Sequence, residues 1–165
     1  RIYNNYFGAL FHDLPEVLTR DIVSPIKNSI EGLDDLIKEY EGIQVEERIL
    51  PLLPLAWHDE IRFFVEEEFE NKIIKEGRLI KGLSSETLSE EYNLDCFNPL
   101  DGTVIKVCDH LAAFIEASLS IKCGITSIHL DEGRKRLHKL YNGKVIAGID
   151  FGTIFNNFNP DSETK

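Results

Sequence analysis

His12 and Asp13 stand side by side in a small, apolar stretch, and Glu16 and Asp21 follow closely, with Ser24, Pro25 and Lys27 beyond them. An imidazole next to a carboxylate suits one divalent ion. Neighbours on a helix point about 100° apart, close to the right angle between adjacent ligands of an octahedral metal. The dipeptide alone reads more simply as a helix-end histidine with a capping aspartate. Two further carboxylates in an otherwise apolar neighbourhood shift the balance toward a metal centre.

A second source of carboxylate lies in 100–123, where Val104, Val107, Leu111, Phe114, Ile115 and Leu119 recur at helical spacing up to a stop at Gly124. Lys106, Asp109, Ala112, Ala113 and Glu116 are three or four residues apart and so share one face. The alanines permit another helix to come close, and a carboxylate in such surroundings is costly unless a cation meets it. Asp109 is a carboxylate in such surroundings. Glu116 reads as a salt bridge or a solvated edge, and Lys106 as either a phosphate neighbour or an exposed lysine. A second His-Asp pair, at His58 and Asp59, is explained by capping: Asp59 sits where an N-cap belongs, with Glu60 in the following turn.

The run His-Asp-x-x-Glu-Val-Leu-Thr-x-Asp from His12 to Asp21, followed by Pro-x-Lys ending at Lys27, resembles the 5′-deoxynucleotidase branch of the HD-domain metal-dependent phosphohydrolases. Val-Cys-Asp-His-Leu-Ala-Ala-Phe around Asp109 is similar to the distal metal helix of that family. The resemblance implies an all-α, HD-domain helical bundle in which the helix ending at Asp13 packs beside the one carrying Asp109. It implies one divalent ion (Co, Mn or Mg) held by His12, Asp13 and Asp109, binding a phosphate oxygen and activating a water. Glu16 would position that water or shuttle a proton. Asp21 would serve as a catalytic and substrate-side group near the sugar or leaving oxygen, and Lys27 would contact phosphate.

The activity implied is removal of the 5′-phosphate from (deoxy)nucleoside monophosphates. The alternatives are an HD-domain phosphohydrolase of another nucleotide class and a degenerate, non-catalytic HD regulatory module. The family pattern also has a histidine upstream of the His-Asp pair. None occurs before His12; His58, His110, His129 and His138 all follow it. Residues missing ahead of Arg1 are the expected explanation, and His110 is the first substitute to consider. Relatives suggest a homodimer.

Composition bounds the rest. A chain of 165 residues suffices for one domain with a proper core, expected over 1–158. A formal charge of −11 repels long nucleic acid, so a small anionic nucleotide needs a local cation. Cys96, Cys108 and Cys123 show no pairing or ligand spacing and fit a reducing cytoplasm, as buried small apolar residues. No apolar run approaches the roughly eighteen residues of a membrane span. There is no Met.

The elements that must position these residues read as nearly all helix. The pattern predicts helices over 2–13, a short one after Pro15, 26–42, a proline-interrupted stretch over 44–56, and 59–76 stopped by Gly77. Residues 82–98 read as loop, either an insertion over the site or a surface segment. An amphipathic helix from Thr126 carries Arg134, Lys135, Arg136, His138 and Lys139, read as one solvated face. A turn at Asn142 and Gly143, a short apolar segment over 145–151 packing back, and a disordered 159–165 complete the reading.

Overall fold

The computed structural model describes residues 1–19 and 31–159. Asp21 and Lys27 lie outside the described residues, as does most of the expected tail. The chain forms two units, one of residues 2–68 and one of Arg1 with 69–165.

In the first unit, α1 (Ile2–Phe11) is followed by a turn, the short α2 (Glu16–Thr19), and α3 (Leu33–Gln44). A π turn (Val45–Ile49) and two 3-10 turns (Leu50–Leu52 and Leu55–Trp57) lead into α4 (His58–Val65). Pro51 and Pro54 explain the irregular course, since each removes a backbone donor and restricts the residue before it. α1 packs on α4 through a stack of rings, with Phe64 6.1 Å from Phe7 and 6.2 Å from Phe11. Val45, Leu50, Ile61 and Val65 form the buried centre, against which Phe11 and Leu14 pack. The residues flanking the His12–Asp13 turn are thus anchored in a core.

The helix expected over 59–76 is two different elements. α4 begins at His58, so Asp59 lies in its first turn rather than at the cap, and it ends at Val65. Glu66, Glu67 and Glu68 then crowd negative charge at the helix C-terminus, where the helix dipole opposes it. Glu67 adopts φ 50° and the chain leaves the helix. Asn71–Lys75 becomes strand β1, paired antiparallel with β2 (Arg78–Lys81). Glu76 and Gly77 form the two-residue connection, both with positive φ (52° and 70°), as a primed hairpin turn requires. Gly77 is thus a hairpin residue, not a helix stop.

In the second unit, β1 is the centre of a three-stranded sheet in the order β2-β1-β3, with β3 at Leu100–Asp101. The segment expected to be loop contains α5 (Ser85–Glu90), capped by Ser84 Oγ accepting from Thr87 N at 3.1 Å and anchored by fully buried Leu88. The long helix α6 (Gly102–Lys122) follows, then α7 (Ile128–Tyr141), the hairpin β4 (Val145–Ile146) and β5 (Ile149–Asp150), and α8 (Phe151–Asn157). Val107, Phe114, Tyr141, Phe151 and Phe155 form the core between α6, α7 and α8.

Asn71 ties the sheet to α6. Its Oδ1 accepts from Thr103 N at 3.0 Å, satisfying a helix-start donor, while its Nδ2 donates to Leu83 O at 2.9 Å. Arg1 grips both oxygens of buried Asp101 just ahead of α6. The basic cluster of α7 is not one solvated face: Arg134 is buried, bonded to Asp131 at 2.9 Å and to Asn159 at 2.7 Å. The three cysteines are free thiols and all exposed, not buried as small apolar residues. Among the described residues no helix is long and apolar enough to cross a membrane.

Candidate metal centre

Pro15 shapes the turn that carries the His-Asp pair. It has no N–H with which to reach Phe11 O and continue α1. Leu14 N makes that bond instead at 2.9 Å, and Glu16 N and Val17 N repeat the short step onto Asp13 O (3.0 Å) and Leu14 O (3.3 Å). α1 therefore stops at Phe11, short of the predicted residue 13, and His12 and Asp13 occupy the turn.

His12 is fixed at both backbone and ring. Its N–H donates to Gly8 O at 2.9 Å, and its Nδ1–H donates to Ala9 O at 2.8 Å, filling one of the carbonyls left open at the end of α1. That bond places the proton of a neutral ring on Nδ1 and leaves the Nε2 lone pair, on a buried atom, turned toward Asp13. Nε2 faces Asp13 Oδ1 at 3.2 Å. The imidazole is 15% exposed and the carboxylate 67%, so the pair runs from a half-buried ring to a solvent-reaching oxygen.

Two electron-pair donors at this distance repel unless a cation or a proton lies against both. Adjacent ligands of an octahedral ion with bonds of ~2.0–2.2 Å stand about 3 Å apart, close to the separation observed. The donor set and its spacing therefore fit two neighbouring positions of a divalent ion, and the Ala9 carbonyl is the outer partner that orients the ring. Among the described residues no group of three or more His, Cys, Asp or Glu side chains is gathered to hold a metal.

Glu16 opens α2, half-buried, in the turn that follows the pair. The far end of α2 is held by Thr19 Oγ1, which donates to Glu41 Oε1 on α3 at 2.9 Å. The sequence gives no local sign of this contact, because Thr19 and Glu41 are far apart along the chain.

Asp109 lies in the second unit, half-buried on α6, while Lys106, Ala112, Ala113 and Glu116 on the same face are exposed. The Asp109 charge is felt at its neighbours. Burial pushes the His110 imidazole down and the Tyr141 phenol up, and the Asp109 carboxylate raises both. His110 Nδ1 is 2.7 Å from Tyr141 Oη, so its ring is engaged with the core of its own unit. His58 donates to Leu53 O at 3.2 Å, accounting for the second His-Asp pair structurally, and His138 meets Asn156 Oδ1 at 2.7 Å.

A family model described as HD domain matches residues 1–138, the greater part of the chain. The chain belongs to the HD-domain family. Its helical architecture, with only small sheets, is that of an HD-type fold. The matched span takes in the His12–Asp13 turn and Asp109 alike. HD domains are in general metal-dependent phosphohydrolases. Comparison with curated proteins and with solved structures gives no match.

Proposed function

We propose that this HD domain is a phosphomonoesterase that removes the 5′-phosphate from (deoxy)nucleoside monophosphates. The observation that carries the reading is the 3.2 Å approach of His12 Nε2 to Asp13 Oδ1 on a ring whose other nitrogen is already committed to Ala9 O. Support for the nucleotide substrate comes from the residues that follow, Glu16-Val-Leu-Thr-x-Asp21 and Pro25-x-Lys27, which match the deoxynucleotidase pattern.

His12 and Asp13 hold the ion, and Asp109 is the distal ligand on its sequence pattern. A divalent ion so held supplies Lewis acidity toward water and a phosphate oxygen. The remaining work falls to the chain. Glu16, half-buried one turn beyond the pair, holds or moves the proton exchanged with water or the leaving oxygen. Asp21 meets the sugar and leaving-oxygen side, and Lys27 a non-bridging phosphate oxygen. The acidic surface disfavours long nucleic acid, so selection of a small nucleotide rests on this local cationic site. Action as a homodimer in the cytoplasm belongs to the same proposal.

The test is a screen of the full-length protein with Co²⁺, Mn²⁺ or Mg²⁺ against deoxynucleoside and nucleoside 5′-monophosphates, cyclic nucleotides and hyperphosphorylated nucleotides. Metal-dependent release of phosphate from the monophosphates is the expected result. Turnover confined to cyclic or hyperphosphorylated substrates would move the protein to another HD class. Stable metal binding without turnover on any substrate would make it a regulatory module.

A further inference from the structure

α2 is four residues long, far below the length at which a helix persists by its own hydrogen bonds. Its position must come from what holds its two ends. The leading end is fixed by the turn bonds from Glu16 N and Val17 N and by Leu14 in the core of the unit. The trailing end is fixed by the Thr19 hydroxyl, which donates to Glu41 Oε1 at 2.9 Å. Glu41 sits near the end of α3, half-buried, and its helix is part of the framework that continues into Val45 and Leu50 of the core.

We propose that Glu41 is a positioning residue for Glu16. This rests on the phosphohydrolase reading above, in which Glu16 handles the proton. Glu41 touches no reacting atom. It acts through Thr19, holding the short helix so that the Glu16 carboxylate keeps one location relative to the His12–Asp13 turn. A carboxylate acceptor makes a stronger bond to a hydroxyl than a neutral one. Its loss leaves α2 pinned at one end only, and small misplacements of a proton-transfer group are costly in rate.

The experiment uses metal-loaded full-length protein and four variants: Glu41→Ala, Glu41→Gln, Thr19→Val and the Thr19→Val/Glu41→Ala double. A charge-assisted hydrogen bond at a half-buried site is worth about tenfold, so kcat should fall about tenfold in Glu41→Ala and in Thr19→Val. KM and metal content should stay unchanged. Glu41→Gln keeps an oxygen acceptor but not the charge, so its rate should lie between those of Glu41→Ala and the natural chain. The double variant should be no slower than either single, because both remove one bond. Additive losses, a Glu41→Gln as slow as Glu41→Ala, or metal lost in step with activity would each overturn the proposal.

An unmodified protein inactive on every phosphomonoester counts against the functional reading instead. Amide exchange over Glu16–Thr19 then decides the positioning. Exchange should quicken about tenfold in Glu41→Ala and less in Glu41→Gln, and equal rates in both would refute it.

Discussion

His12 Nε2 stands 3.2 Å from Asp13 Oδ1, while the other nitrogen of the same ring donates to Ala9 O at 2.8 Å. One backbone carbonyl therefore decides which nitrogen of the imidazole is turned toward the Asp13 carboxylate.

Substitutions should separate ligands from the proton-transfer group. Asp13→Ala and Asp109→Ala should abolish metal binding, measured by metal content after dialysis. Glu16→Ala should retain the metal and lose turnover by about 10²–10⁴-fold, the usual contribution of a general acid or base. Equal metal loss in all three would show that Glu16 is itself a ligand.

The ring orientation can be read directly. In metal-free protein under mildly alkaline conditions, the neutral His12 imidazole should carry its proton on Nδ1, because the Ala9 carbonyl accepts only from a donor. Nitrogen NMR of the imidazole distinguishes the tautomers. An Nε2–H form would mean the Ala9 bond is not what aligns the ring.

Two glycines should respond oppositely to alanine. At Gly102 a Cβ would stand 2.4 Å from Glu70 O and from Phe69 C, both backbone atoms that cannot step aside. Gly102→Ala should destabilise by about 1–3 kcal/mol, as overpacking does. Gly133 lies inside α7 with nothing within 4 Å of the added carbon. Gly133→Ala should stabilise by about 0.5–1 kcal/mol through helix propensity. Urea unfolding of both variants checks the pair.

Acid should act partly through Glu46. The Arg62 guanidinium binds both its oxygens, Nε to Oε1 at 2.5 Å and Nη2 to Oε2 at 2.9 Å, and holds this carboxyl below its ordinary 4.5. A lowered folded-state value means the unfolded chain takes up the proton first as pH falls. The contribution is therefore present above pH 4.5 and is lost as pH drops through the folded value. Glu46→Gln should be less stable than the natural chain at neutral pH, with the gap closing in acid. A constant gap in urea midpoint across that range would contradict this.

Several features were legible in the sequence because they rest on local physics. The helical character follows from apolar spacing, and α6 with its stop near Gly124 matched that spacing closely. The His12–Asp13 pair is covalently adjacent, so its closeness needs no fold to arrange it. Even the end of α1 at Phe11 follows from Pro15, once its missing N–H is set against the open Phe11 carbonyl.

Tertiary context decided the rest. The β1–β2 hairpin was hidden because Ile61, Phe64, Val65, Phe69 and Ile73 keep helical spacing across a boundary set by the crowded charge of Glu66–Glu68 and by the turn at Glu76–Gly77. Arg134 reads as a surface charge yet is buried, held by Asp131 one turn back on its own helix and by Asn159, a partner that only folding brings to it. The bond from Thr19 to Glu41 belongs to the same class, joining residues whose separation along the chain conceals them from any local pattern. Sequence supplied the candidate groups for binding an ion and carrying a proton. The fold alone determined what holds them still, because a hydrogen bond between distant residues exists only after the core has placed both ends.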